Sequence, residues 1–218
     1  HEFDYGLEQL DHLVGSLKAK TLVCNYKDLK TGKTVFLPYA IRKFKNLNIG
    51  FIGCVTPITK LSDSPQSFID KDGNDLYTFS HENFYEVIQQ NINEVRALGA
   101  DVVILLAHLG DIDNSFETSE ETIHRTTGLD IVLDGHAHNV IESRYVCNAN
   151  GDSILLSSTG YLFENIGQLV ISGKGNYKTT LIPVSKDAKQ DLAIKAQIEG
   201  FQATFNNLPT IAETPYEL

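Results

Sequence analysis

The chain has 218 residues and a formal net charge of −10, with 28 Asp and Glu against 18 Lys and Arg. Hydrophobic residues make up 42% of it and charged residues 21%, which excludes a disordered or fibrous protein. The acidic balance argues against binding to nucleic acid or to a membrane surface, and no apolar run approaches the ~18 residues of a membrane span.

The first part of the chain predicts a helix followed by short strands. Apolar residues recur at helical spacing over Leu7–Leu17. Short apolar runs predict three strands: Thr21–Cys24, Val35–Phe44 and Leu47–Val55. The next segment, residues 56–80, is rich in Ser, Asp, Pro and Gly, and it reads either as a functional loop or as an ordinary surface excursion.

The middle of the chain alternates helices with fully apolar runs. An amphipathic helix is predicted over His81–Leu98 and a shorter one over Ser119–Thr126. The runs Asp101–Ala107 and Ile131–Leu133 are typical of central strands that are covered on both faces.

The last part of the chain changes to hairpins. The predicted strand pairs are Arg144–Cys147 with Ser153–Ser157, and Gln168–Ile171 with Tyr177–Ile182. A polar helix is predicted from about Lys186 to Phe205, and Pro209–Leu218 has the composition of a linker.

Both apolar strands run directly into histidine. His108 follows the first strand, and His136 and His138 follow the second, next to Gly135. Ligand sites in open α/β sheets form beyond the carboxyl ends of the strands, and an extended backbone would aim His136 and His138 to the same side. Neutral imidazole suits zinc, iron or manganese, so the pattern predicts a metal site. The alternative for each is an ordinary packed or exposed histidine.

A second informative stretch stands at residues 1–6. Here His1 is followed three residues later by Asp4. A carboxylate at this spacing can orient and charge the imidazole for general acid catalysis. The alternative is an exposed terminal segment.

Taken together, these motifs resemble the 5'-nucleotidase family of calcineurin-like metallophosphoesterases. Residues 1–6 match the second half of the family signature Gly-Asn-His-Glu-Phe-Asp-x-Gly. The Gly-His-x-His at Gly135–His138 and the segment Ser158–Leu169 follow in the family's order. The resemblance implies an α/β fold, the second half of a four-layer α/β/β/α sandwich. It also implies a partial catalytic domain over residues 1–185, then a closing helix and linker over 186–218 that lead toward a C-terminal substrate domain.

The resemblance also implies roles for the site residues. His108, His136 and His138 would ligate a centre of two divalent ions such as zinc or manganese, and His1 and Asp4 would form a catalytic dyad. The implied activity is metal-dependent release of phosphate from nucleoside monophosphates. The implied location is extracellular, periplasmic or at the cell surface.

Departures from the family keep alternatives open. The upstream Asp-x-His motif, the bridging Asp and the Asn before His1 are not in this sequence, so we expect the chain alone to bind one ion or none and to be inactive. The same centre could act on 2',3'-cyclic nucleotides or UDP-sugars. The chain could instead be a non-catalytic metal- or partner-binding remnant, or a three-histidine zinc hydrolase.

Overall fold

The structure, a computed structural model, describes residues 1–111 and 117–206. The helices are α1 (Leu7–Ser16), α2 (Thr59–Ser62), α3 (Phe84–Ala97), α4 (Ser119–Arg125) and α5 (Leu192–Asn206), with 3₁₀ turns at Pro65–Phe68 and His81–Asn83. The strands are β1 (Lys27–Asp28), β2 (Tyr39–Phe44), β3 (Leu47–Val55), β4 (Tyr77–Thr78), β5 (Val102–His108), β6 (Ile131–Asp134), β7 (Val140–Cys147), β8 (Ser153–Thr159), β9 (Asn165–Gly173) and β10 (Asn176–Pro183). None of the helices within these residues combines the length and apolar character that a membrane crossing requires.

A six-stranded mixed sheet forms the centre of the first compact unit, His1–Pro183. Its strand order is β2-β3-β5-β6-β8-β7, and the four inner strands are parallel while both edge strands are antiparallel. The two apolar runs are therefore inner strands, as predicted, and they pair with each other. Because parallel strands end at the same edge, the residues that follow β5 and β6 meet there. As predicted, the residues Val102–Leu105 are buried on both faces of the sheet, whereas Leu106 is 38% exposed.

Helix α3 covers one face of this sheet. Its buried residues recur at helical spacing, and they are Phe84, Val87, Ile88, Asn91, Ile92 and Val95. The helix lies so close to β3 that a Cβ added at Gly50 would be 2.1 Å from a Val95 methyl group. Glycine at this position is therefore required by packing, since overpacking a core costs about 1–3 kcal/mol.

An aromatic cluster anchors the beginning of the chain. Phe3 contacts the rings of Tyr26, Phe68 and Phe79, with ring centres 5.4, 5.4 and 5.7 Å away. Tyr26 and Phe79 also stack on each other at 4.8 Å. Edge-to-face contacts of this kind add to the free energy that burial of the rings contributes. The cluster fixes residues 1–6 against segment 56–80.

Two predicted strands differ from the structure. Residues 21–24 form an isolated bridge between Leu22 and Leu37 but no strand. The segment instead crosses over β3, where a Cβ added at Gly53 would lie 1.8 Å from the Leu22 carbonyl oxygen. The second difference is that β2 begins at Tyr39, after Pro38, because proline has no N–H to donate to a strand ladder.

The second compact unit begins at Val184. Its helix α5 starts later than predicted, at Leu192, because the Asp191 carboxylate accepts hydrogen bonds from the amides of Ala193 and Ile194, at 2.9 and 3.1 Å. Such bonds satisfy the first free amides of a helix. The predicted linker Pro209–Leu218 lies outside the described residues.

The long connection at residues 56–80 is held by one buried side chain. Asn25 is fully buried, and its amide group donates to the carbonyl oxygens of Val55 (2.7 Å) and Phe79 (3.0 Å). Its own oxygen accepts from the Val55 amide at 3.1 Å. Asn25 thus ties the end of β3 to the end of the connection.

We expect Asn25→Leu to lower the free energy of unfolding by about 2–5 kcal/mol, because it removes the partner of three backbone groups of Val55 and Phe79. Urea denaturation followed by circular dichroism measures the loss. Asn48→Ala is the matched control, since the Asn48 side chain donates one exposed hydrogen bond to Gly99, and it should cost less than about 1 kcal/mol. Equal losses in the two variants would contradict this account of Asn25.

Candidate active site

The site begins where β5 and β6 end. In the sheet register, Val55 of β3 pairs with His108 of β5, and Asp134 of β6 pairs with Ser158 of β8. The Thr56 amide donates to the His108 carbonyl oxygen at 3.0 Å and extends the ladder by one bond. The sequence-predicted location of His108 at the carboxyl edge is therefore confirmed.

Asp134 links the two strand ends. One of its carboxylate oxygens accepts from the amides of Leu109 (3.0 Å) and Gly110 (3.2 Å), directly after His108. Burial raises the pKa of the Asp134 carboxyl, while these amide bonds act in the opposite direction. Asp134 is not among the predicted site residues, although an acidic residue between a buried strand and Gly-His was a usable signal. Asp134 fixes the turn that carries His108 against the turn that carries His136.

His108 and His136 lie together. Their ring centres are 5.1 Å apart and the rings are tilted by 59°. Gly135 allows this approach, since a Cβ there would be 3.3 Å from Nδ1 of His108. Burial lowers the pKa of His108, and the neighbouring His136 lowers it further. A neutral imidazole is the form that binds a metal ion.

The prediction of an extended backbone at His136 and His138 is wrong. Both residues have left-handed φ angles, 74° and 60°, and the Ala137 amide donates back to the Gly135 carbonyl oxygen at 3.0 Å. The two imidazoles consequently have different neighbours, His136 beside His108 and His138 stacked on Tyr161. Positive φ in residues other than glycine is uncommon and concentrates at functional sites.

The predicted pair of His1 and Asp4 is in contact. His1 Nδ1 lies 2.8 Å from a carboxylate oxygen of Asp4, and the Ser64 hydroxyl donates to the Asp4 carbonyl oxygen at 2.6 Å. One ligand atom from each of His1, Asp4 and Asp63 lies within 4.8 Å of the others. No comparable trio forms from His108, His136 and His138 in the part of the chain that the structure describes. The catalytic role of the His1–Asp4 pair stays a prediction.

One cleft joins the two pairs. The cleft has a volume of about 540 Å³, and His1, His108 and His136 line it together with apolar side chains of α1. Thr56 also lines it, and its buried hydroxyl has no hydrogen-bond partner among the described residues. The wall therefore offers imidazoles to whatever occupies the cleft.

This donor set fits a divalent metal ion. Two imidazoles that share one ion at about 2.0–2.1 Å have ring centres roughly 4.5–5.2 Å apart, and His108 and His136 are at 5.1 Å. Nitrogen donors of this type suit zinc and manganese alike, so the geometry does not select one metal.

A further histidine–carboxylate pair lies outside the predicted site. His81 Nδ1 is 2.7 Å from a carboxylate oxygen of Glu117, whose side chain is only 4% exposed. The second oxygen of Glu117 has no partner among the described residues. Burial raises the pKa of the Glu117 carboxyl, and the hydrogen bond from His81 lowers it by less. The sequence carried no signal for this contact.

Glu117 should make stability fall with rising pH. Because its folded-state pKa is above the ordinary glutamate value, the folded chain keeps this proton over a range in which the unfolded chain has lost it. We expect Glu117→Gln to gain free energy of unfolding relative to wild type as the pH rises from about 4, through the range in which only the unfolded chain loses this proton. Chemical denaturation across that range measures the gain.

The exposed Glu86→Gln is the matched control for the loss of one carboxylate. A difference between Glu117→Gln and wild type that does not change with pH would show that the Glu117 carboxyl does not hold its proton on folding.

The chain is similar in sequence to known nucleotide hydrolases. It is 29% identical over 167 residues to the 2',3'-cyclic-nucleotide 2'-phosphodiesterase/3'-nucleotidase of Salmonella typhimurium, which covers 71% of this chain and 25% of that protein. It is 26% identical over 231 residues to the snake venom 5'-nucleotidase of Crotalus adamanteus, covering 95% of this chain and 37% of that one. The chain spans about a quarter of the first relatives that it matches. A scan against protein-family profiles finds no match.

Solved structures show the same fold. The 5'-nucleotidase precursor from Thermus thermophilus superimposes with a TM-score of 0.74 at 22% identity, covering 94% of this chain and 42% of that one. The sulfate thiohydrolase SoxB of the same organism gives 0.78 at 20% identity, covering 94% and 36%. The predicted α/β class and sandwich architecture are confirmed. The chain is thus similar in sequence to 5'-nucleotidases and 2',3'-cyclic-nucleotide phosphodiesterases, and it shares the fold of the calcineurin-like phosphoesterase YfkN of Bacillus subtilis, with a TM-score of 0.71.

Proposed function

We propose that the chain is part of a metal-dependent hydrolase that releases phosphate from nucleoside 5'-monophosphates. The observation that carries the proposal is one cleft lined by two different kinds of histidine. His1 is hydrogen-bonded to a carboxylate, while His108 lies beside His136 and has a lowered pKa. The first arrangement suits proton transfer, and the second suits a metal ion.

His108 and His136 would hold a divalent ion, with His138 as a further ligand. Such an ion, when bound, polarises phosphoryl oxygens and lowers the pKa of bound water. His138 differs from the other two because its ring stacks on Tyr161. That separation supports a centre in which the histidines serve two ions, and it gives no support to a single three-histidine zinc site.

The His1–Asp4 pair would supply the proton. With Nδ1 hydrogen-bonded to the Asp4 carboxylate, the protonated ring carries its other proton on Nε2. Transfer of that proton to the departing oxygen leaves neutral His1 and ionised Asp4, whose charge had stabilised the imidazolium. Apolar side chains in the same cleft, among them Leu10 and Phe36, exclude water and so strengthen these electrostatic interactions.

A second candidate substrate is a 2',3'-cyclic nucleotide. Relatives from three bacteria, each 26–29% identical, are named as 2',3'-cyclic-nucleotide 2'-phosphodiesterase/3'-nucleotidases. The same ions and proton donor serve either ester, so the described residues do not distinguish the two. A UDP-sugar is a third possible substrate of such a centre.

Location and domain organisation belong to the same proposal. Relatives include a snake venom 5'-nucleotidase and a cell wall protein of Listeria monocytogenes, which supports an extracellular, periplasmic or surface location. We retain residues 1–185 as a partial catalytic domain and 186–218 as its closing helix and linker. Segments that complete the metal centre and bind the rest of the nucleotide would come from elsewhere in a longer protein.

The test is phosphate release by the longest natural polypeptide that contains these residues, loaded with zinc or manganese. With AMP and 2',3'-cyclic AMP as substrates, we expect His136→Ala to abolish release and to lower the metal content measured by elemental analysis. We expect His1→Gln to lower kcat by about 10²–10⁴ while metal content stays unchanged, because proton transfer alone is lost.

His12→Gln, an exposed histidine on α1, is the matched control and should keep full activity. Full activity in His136→Ala would refute the proposed centre. Wild-type protein that binds metal but hydrolyses neither substrate would instead favour a non-catalytic metal-binding module.

A further inference from the structure

Tyr161 meets His138 through strand register. Strands β7 and β8 are antiparallel, with Val140 opposite Thr159. Continuing this pairing two residues beyond the ladder places His138 opposite Tyr161. The two rings stack with centres 5.0 Å apart and planes only 7° from parallel. The pairing of β7 with β8 therefore places the two rings side by side.

The turn after Tyr161 keeps that ring in place. The Glu164 amide donates to the Tyr161 carbonyl oxygen at 3.1 Å, and the two residues between them, Leu162 and Phe163, have φ of 53° and 57°. Positive φ at both central residues is the signature of a type I′ turn, which favours Asn and Gly. The Asn165 side chain closes the base of the turn by donating to the Thr159 carbonyl oxygen at 3.1 Å.

The backbone of Leu162 and Phe163 is strained, and no packing of their side chains against other described residues explains the strain. Leu162 is 78% exposed and Phe163 is 89% exposed. A left-handed backbone is unfavourable for such bulky side chains by roughly 1–2 kcal/mol each. The turn begins at Tyr161, the residue that stacks on His138.

His138 has no hydrogen bond from its ring to any described residue. A histidine that binds a metal ion is ordinarily oriented by a hydrogen bond from its other ring nitrogen. Here the stacked face of Tyr161 is the contact that fixes the plane of the imidazole. This matters because the backbone of His138 is itself in an uncommon conformation, with φ of 60°.

We propose that Tyr161 is a positioning residue that orients His138 toward a divalent ion. The inference rests on the proposed function, since it assumes that His138 is a ligand. In this proposal the aromatic stack orients the imidazole, as a hydrogen bond to the second ring nitrogen of the histidine does in other metal sites. The phenol hydroxyl has no part in it, so the ring alone is required.

The experiment compares binding of Zn²⁺ and Co²⁺ by three variants of the polypeptide used above, by competition with a chelator. We expect Tyr161→Ala to weaken binding about 3- to 10-fold and to change the visible absorption of bound Co²⁺, because the ligand geometry loosens. Tyr161→Phe keeps the ring and should stay within about twofold of wild type.

The double variant Leu162→Asn with Phe163→Gly is the matched control for the turn. It supplies the residues that a type I′ turn prefers, removes both exposed apolar side chains and leaves Tyr161. It should bind Zn²⁺ within about twofold of wild type and unfold at the same or a higher urea concentration. NMR of the metal-free protein gives an independent readout of the stack. The His138 Hε1 resonance, assigned by its loss in His138→Gln, should lose its ring-current shift in Tyr161→Ala alone.

Three results would overturn the inference. The first is that Tyr161→Ala binds the ions and absorbs light as the wild type does. The second and third are that Tyr161→Phe, or the double turn variant, weakens ion binding as much as Tyr161→Ala. Failure of the wild-type protein to bind either ion is a different result. It would refute the proposed metal centre, on which this inference rests.

Discussion

The alignment of β5 and β6 is the constraint on which the candidate site depends. Parallel pairing brings both strand ends to one edge, but the pairing alone leaves the two following turns free to diverge. The half-buried carboxylate of Asp134 prevents this by accepting from two amides just after His108. Replacing Asp134 would leave those amides without this partner and release the His108 turn from the His136 turn. Asp134 therefore sets the separation of the two imidazoles.

The His1–Asp4 pair reaches the same cleft by a different route. It belongs to no strand of the central sheet, and the nearest buried residue that holds it is Phe3. Because the Phe3 ring lies among Tyr26, Phe68 and Phe79, the pair is fixed to the connection that leaves β3. The pair of His108 and His136 and the pair of His1 and Asp4 are thus carried by separate parts of the core, and the cleft lies where those parts meet.

Sequence patterns predict the elements that apolar spacing determines, and they miss particular backbone turns and side-chain contacts between distant residues. The inner strands and α3 follow from apolar runs and helical spacing, so they are found with small errors at their ends. The left-handed backbone at His136 and His138 depends on a bond from Ala137 back to Gly135, which alternation of residue types does not reveal. The pairing of His81 with Glu117 joins residues 36 positions apart, so only the folded chain discloses it.

Positive φ angles in residues other than glycine are concentrated beside one pair of strands. Seven residues other than glycine have positive φ, within the described ranges, and four of them are His136, His138, Leu162 and Phe163. These four flank the antiparallel pairing of β7 with β8, whose regular ladder is the stable element next to them. A strained turn persists only where its surroundings determine it fully, and here the ladder and the Asn165 bond do so. The strain is therefore localised beside the His138–Tyr161 stack, at the one end of the ladder that faces the candidate chemistry.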